Sequence, residues 1–463
     1  MKNLLALSAI GVIFIALSVH AHIDDELLKK LSNIPGLNYI ELPADKGYRI
    51  FELSLTQAAN HNEQNGETFE QRLVLWHKGE DRPMVLQTSG YKIFSLALSG
   101  LAMEFNANQI QVEHRFFANS IPKSRDWSLL NIAQSAADFH HITQAFKDIY
   151  KGKWVNTGRS KGGMTSVYHR RFYPDDVDAT VAHVAPQSYS INDERYSDFL
   201  SNDVGGESNI ACREKLIASQ RTLLMNRESV LNALTGSFDF LGSKEIAMEH
   251  AIIELPWSFW QYHKPNEDCS NVPAADAPVF DHIEFLTKTN DPLHYTDKEA
   301  ESFSPYYFQA ASELGHPKTP KDDISDLLIF ADTFNVFTYS PKDSHPVYDN
   351  AMAMQDIKQW VKEQSSSMLF VYGEWDPWSA GAFEPNPDPA SDSYRFYVSE
   401  ANHGAQFLNL QGAERDLAYA RLRAWLNIEN EIPLAKSFSG IEKTLEDIEF
   451  EATHILGDKL YVF

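Results

Sequence analysis

The feature that most narrows the choice of fold is a rhythm, in which short apolar runs of strand length alternate with stretches of helical period. Trp154 to Thr157 is one such run; it enters Gly158-Arg159-Ser160-Lys161-Gly162, and a helix follows from Gly162 to Tyr173, stopped by Pro174. Pro83 to Thr88, Gln109 to Arg115, Thr180 to Ala185, Met368 to Tyr372 and Tyr394 to Val398 read as further strands. Between them, Asn131 to Tyr150 places Ile132, Ala136, Phe139, Ile142, Phe146 and Ile149 three or four residues apart, the period of an amphipathic helix, and Arg415 to Leu426 reads as a closing helix. Such alternation predicts a mostly parallel sheet with right-handed crossovers. Tyr48 to Leu55 and Glu70 to His77 alternate around a turn at Asn65-Gly66 and predict an antiparallel entry to it. From Gln187 to Gln364 the rhythm disappears, and the segment reads as helices covering the carboxyl edge of the sheet.

Composition sets limits on function. With 40 basic and 64 acidic side chains the chain carries a formal charge of −24, which repels phosphate backbones and anionic headgroups, so neither nucleic acid nor a stable membrane association is expected. The start reads Met1-Lys2-Asn3, an apolar run from Leu4 to Val19, then His20-Ala21-His22, the pattern of a secretory leader cleaved after Ala21; the run is short of the roughly 20 residues that span a bilayer. The expected location is secreted or periplasmic. Cys212 and Cys269 are the two cysteines, and in an exported protein such a pair is expected as a disulfide. No cysteine pair has metal-ligand spacing and no His-Glu-x-x-His run occurs, so no metal or other cofactor is expected.

Gly158-x-Ser160-x-Gly162 between a strand and a helix carries the chemistry. A serine at so sharp a turn needs unusual backbone angles, and small neighbours relieve the crowding while its hydroxyl is pushed outward. The fold class this implies is the α/β-hydrolase, with an inserted helical cap: leader 1–21, core 22–186 and 365–463, cap 187–364. A serine hydroxyl is a weak nucleophile, so an imidazole must take its proton and a carboxylate must orient the imidazole, in the chain order Ser, acid, His. Asp376 follows a late strand in Gly373-Glu374-Trp375-Asp376-Pro377-Trp378, with Glu374 its rival in the same loop, and His403 follows the last strand in Asn402-His403-Gly404. The Lys161 N–H, at a helix N-terminus, is an expected oxyanion donor, and the second is the N–H of Gly90 or Tyr91 in Ser89-Gly90-Tyr91. A surface-binding protein that keeps the fold without chemistry, or an esterase or lipase with the same triad, remain alternatives.

Through Thr157 to Asp178, Tyr372 to Trp378 and Asn402-His403-Gly404, and more loosely over nearly all of the mature chain, the sequence resembles serine-peptidase family 37, the secreted bacterial tripeptidyl aminopeptidases. Glu113-His114-Arg115-Phe116-Phe117 is also similar to the related prolyl carboxypeptidase and dipeptidyl peptidase family. The resemblance implies release of tripeptides from peptide substrates with a free N-terminus, in some relatives after proline, with Ser160, Asp376 and His403 as the triad. Arg159 departs from the small residue of many relatives and is expected to narrow the substrate pocket. An aminopeptidase must also hold an ammonium group, for which a buried carboxylate is the natural partner, and Glu113 is the candidate.

Overall fold

A computed structural model describes residues 25–349 and 353–428. The expected leader through Ala21 lies outside the described residues. Among the described residues nine strands form one sheet: β1 (Leu37–Asp45), β2 (Tyr48–Ala58), β3 (Thr68–His77), β4 (Met84–Gln87), β5 (Asn108–Val112), β6 (Trp154–Arg159), β7 (Ala179–His183), β8 (Met368–Gly373) and β9 (Tyr394–Val398). Their order is β1-β2-β3-β5-β4-β6-β7-β8-β9; β1 to β3 and the β3–β5 pair are antiparallel, and every pair from β5 to β9 is parallel. The protein is an α/β-hydrolase. β1 was not expected from the sequence, because it is an outer strand with a polar, largely exposed pattern and lacks the apolar alternation that marks the others.

The sheet fills both faces by strict alternation. Met84 and Leu86 join Leu53, Leu73, Leu75 and Ile110 beneath Phe139, Ile142 and Phe146 of the helix Ile132–Lys147. Val85, Val155, Val181 and Leu369 point the other way, under Leu101, Phe407, Tyr419 and Leu422. Asn131, expected inside the first long helix, is its N-cap, its side chain accepting from the Gln134 N–H. The strand expected over Thr180 to Ala185 ends at His183, since Val184 turns into positive φ while its N–H donates to Val371.

Between β7 and β8 the described chain contains helices and turns and no strand of the sheet. These helices close on their own cluster, which includes Met248, Ile252, Trp257, Phe259, Trp260 and Tyr307, and which also takes in Tyr91, Trp375 and Trp378 from loops at the carboxyl ends of the strands. The insertion is therefore packed onto the edge where the sheet loops emerge. Cys212 and Cys269 are joined by a disulfide across a sequence separation of 57. In the chain-entropy account a loop of that length stabilises by about 4 kcal/mol. The double substitution Cys212→Ser/Cys269→Ser is expected to lower the denaturation free energy of the insertion by that order, read as a reduced urea midpoint that reductant no longer changes. Among the described residues no helix is long and apolar enough to cross a membrane.

Candidate active site

Ser160 stands between β6 and the helix Lys161–Phe172 with φ 55° and ψ −127°, a left-handed backbone for a side chain bearing a Cβ. Such a bend holds only if neighbouring backbone comes very close. A Cβ on Gly158 would overlap the Gly162 carbonyl, and one on Gly162 would stand 2.7 Å from the Thr88 carbonyl oxygen at the end of β4. Thr88 seals this crossing: its Oγ1 donates to the Gly162 carbonyl at 2.7 Å and lies 2.6 Å from Ser166 Oγ. The Ser160 N–H donates to the His183 carbonyl at 2.9 Å, so β7 also fixes the bend.

The loop after β4 packs directly on it. A Cβ on Gly90 would lie 2.5 Å from the Lys161 Cβ, so only glycine fits there. The Lys161 ammonium, buried beside the Tyr91 and Phe117 rings, donates to the Gly90 carbonyl at 2.7 Å. Burial pushes this ammonium down to about 7, with Glu313 acting in the opposite sense. The Lys161 side chain therefore ties the β4 loop to the bend, a contact that the sequence reading, concerned with its N–H, missed. As the first residue of its helix, Lys161 has no intrahelical acceptor for that N–H. The Tyr91 N–H is engaged, donating to Ser89 Oγ at 3.0 Å.

Asp376 follows β8 and is fully buried; its Oδ2 accepts from His403 Nδ1 at 2.7 Å and its Oδ1 from the Trp378 N–H at 3.1 Å. Its neighbour Glu374 is exposed and accepts from Ser399 Oγ and the Glu400 N–H, which engages it in the turn after β9. With Nδ1 committed to Asp376, the opposite ring nitrogen of His403, Nε2, is buried and among the described residues has no hydrogen-bond partner. His403 and Ser160 occupy one neighbourhood: Trp378 lines the narrow cleft at Ser160 and its ring centroid lies 6.1 Å from that of His403, while Arg159 Nη2 donates to the Gly404 carbonyl at 3.2 Å. Arg159 is thus an exposed strap from the bend to the histidine loop. The His403 N–H donates to the Gln261 carbonyl at 3.1 Å, so the inserted helix Lys244–Tyr262 holds that loop from above.

Glu113 is not brought to this cleft, which corrects its expected role. It is fully buried at the end of β5, where its Oε1 accepts from Ser120 Oγ at 2.9 Å and its Oε2 from the Ile93 N–H at 3.1 Å, with Arg72 Nη1 3.7 Å away. Next to it Arg115 forms a two-bond pair with Asp138 and donates to the carbonyls of Ala58, Ala59 and Leu129. The Glu-His-Arg segment fastens loops to the sheet, and a lone sequence motif has no way to distinguish such a polar anchor from a ligand-binding one. His183, His140 and His141 are likewise structural: burial pushes the first down to about 3, and the other two pair with Asp176 and Gln57.

Comparison with known proteins sets this geometry in a family. The sequence profile of the PS-10 peptidase S37 family matches residues 21–437. The chain is 38% identical over 419 residues to the prolyl tri/tetrapeptidyl aminopeptidase of Streptomyces mobaraensis, covering 88% of this chain and 86% of that protein. It is 36% identical over 98 residues to a prolyl carboxy peptidase like protein of Caenorhabditis elegans, covering 19% of each. Among solved structures, the proline iminopeptidase of Mycobacterium smegmatis is similar at 11% identity and a TM-score of 0.35, covering 83% of this chain and 97% of that one. Matched by the family profile over most of its length, the chain belongs to the PS-10 peptidase S37 family.

Proposed function

We propose that this serine peptidase is exported and releases tripeptides or tetrapeptides from free peptide N-termini through an acyl-enzyme on Ser160. The observation that carries the reading is the His403–Asp376 pair, 2.7 Å apart and buried, beside a serine held in a left-handed bend. Asp376 holds the imidazole with Nδ1 protonated, which leaves Nε2 basic. Ser160 Oγ attacks the scissile carbonyl carbon as its proton passes to Nε2. The oxyanion accepts from the Lys161 and Gly90 N–H groups, the Gly90 donor being preferred to Tyr91 because the Tyr91 N–H is engaged by Ser89. As the C–N bond breaks, Nε2 returns the proton to the leaving amine. Water then attacks the ester with His403 as base, and the released fragment departs as a carboxylate.

The S. mobaraensis relative's name supports the product length, and the leader from Leu4 to Val19 together with the disulfide supports export. The deciding experiment compares a fluorogenic tripeptide with its N-acetylated twin. The free amine is expected to be cleaved at least 100-fold faster in kcat/KM; equal rates would remove the aminopeptidase reading, and turnover of acyl esters without peptides would replace it with an esterase.

A further inference from the structure

A cavity of about 360 Å³ lies within the inserted helices, next to the Ser160 cleft. Its wall contains two acids that the mechanism above does not use, Glu194, which pairs with Lys318 at 3.1 Å, and Glu254. Glu254 sits on the helix Lys244–Tyr262, is 5% exposed, and accepts from the Tyr295 hydroxyl at 2.9 Å through Oε2. Among the described residues no lysine, arginine or histidine pairs with it. Burial pushes it up to about 8, against the pull of the Tyr295 hydrogen bond. A carboxylate removed from water without a cation is costly, and the cost is recovered when a cation arrives.

A second group points to the same missing partner. The Tyr307 hydroxyl, in the same wall, is buried and among the described residues has no hydrogen-bond partner. The nearby Tyr339 hydroxyl is already bonded to His250 Nδ1 at 2.7 Å, and the lysines of this wall are engaged elsewhere, Lys318 with Glu194 at 3.1 Å and Lys321 with the Ala331 carbonyl at 2.9 Å. The partition from the Ser160 cleft is thin. Tyr306 lines the cleft and Tyr307 the cavity, their ring centroids 5.0 Å apart, and Gly315 and His316 divide in the same way. An extended tripeptide spans about 10 Å. The helix that carries Glu254 also carries Gln261, whose carbonyl holds the His403 loop.

We propose that this cavity receives the N-terminal end of the peptide and that Glu254 binds its α-ammonium group, which rests on the peptidase reading of Ser160. Glu254 is then a specificity residue that fixes how many residues lie between the amine and the cut.

Glu254→Gln keeps the shape and the Tyr295 contact while removing the charge. Expected are a rise in KM of at least 30-fold for the free-amine tripeptide, little change for the acetylated twin, and hence collapse of the preference between them; a fluorophosphonate probe labels Ser160 at the wild-type rate. Glu254→Asp, which retains the charge on a shorter stem, is expected to recover part of the preference and serves if the glutamine variant does not fold. Wild-type preference and KM in the glutamine variant, or in the aspartate variant where the glutamine variant does not fold, would overturn the anchor while leaving the hydrolase intact. Failure of the probe to label wild-type protein would instead overturn the Ser160 reading and the anchor with it.

Discussion

Ser160→Ala is expected to abolish peptide release, with kcat lowered by about 10⁶-fold, the scale of loss when the nucleophile of a cooperating triad is removed. Asp376→Asn is expected to lower kcat by about 10⁴-fold with KM little changed, because an amide in place of the carboxylate both removes a charge from beside the forming imidazolium and favours the wrong tautomer. Glu374→Gln, two residues away, is the control. Its carboxylate is exposed and engaged by Ser399 and Glu400, so activity within a few-fold of wild type is expected. Steady-state kinetics on one free-amine tripeptide, with circular dichroism to verify the fold, measures all three. A Glu374 variant as impaired as the Asp376 variant would reassign the acid.

The largest structural effect is expected at Gly158. A Cβ there meets the Gly162 carbonyl and carbon and the Thr88 hydroxyl, which are backbone and a buried side chain fixed by three contacts. Neither can retreat without opening the β6 bend. Gly158→Ala is expected to cost about 4 kcal/mol or more, at the upper end for a single substitution, or, where the chain absorbs the clash, to displace Ser160 and abolish activity. The comparison is Gly79→Ala, whose new Cβ would meet only the Arg82 side chain at an ordinary 3.6 Å. Urea denaturation read beside kcat separates the two outcomes for Gly158, and a variant with wild-type stability and activity would show that the bend is looser than described.

Much of this molecule is legible in its sequence. The parallel strands are apolar on both faces because both are covered, and this gives them a continuous apolar signature that a single chain displays without help. The glycines of the bend were legible for a related reason: a left-handed serine and two backbones in contact leave few residue types possible at 158 and 162. Along the chain only the following Pro377 sets Asp376 apart from Glu374, whereas the structure separates them by burial and by the 2.7 Å contact with His403.

What sequence alone determined is whatever depends on neighbours along the chain: the strand and helix periods, the turn that presents Ser160, and the loops that carry Asp376 and His403. What only tertiary structure decided is where buried charges find their partners. Glu113 looked like a ligand and is consumed by Ser120 and Ile93, whereas Glu254, unremarked in an apolar helix, lines a cavity and among the described residues is paired with no cation. The physical reason is that the cost of burying a carboxylate depends on the dielectric and donors around it, and those are supplied by residues distant in sequence, which no local pattern records.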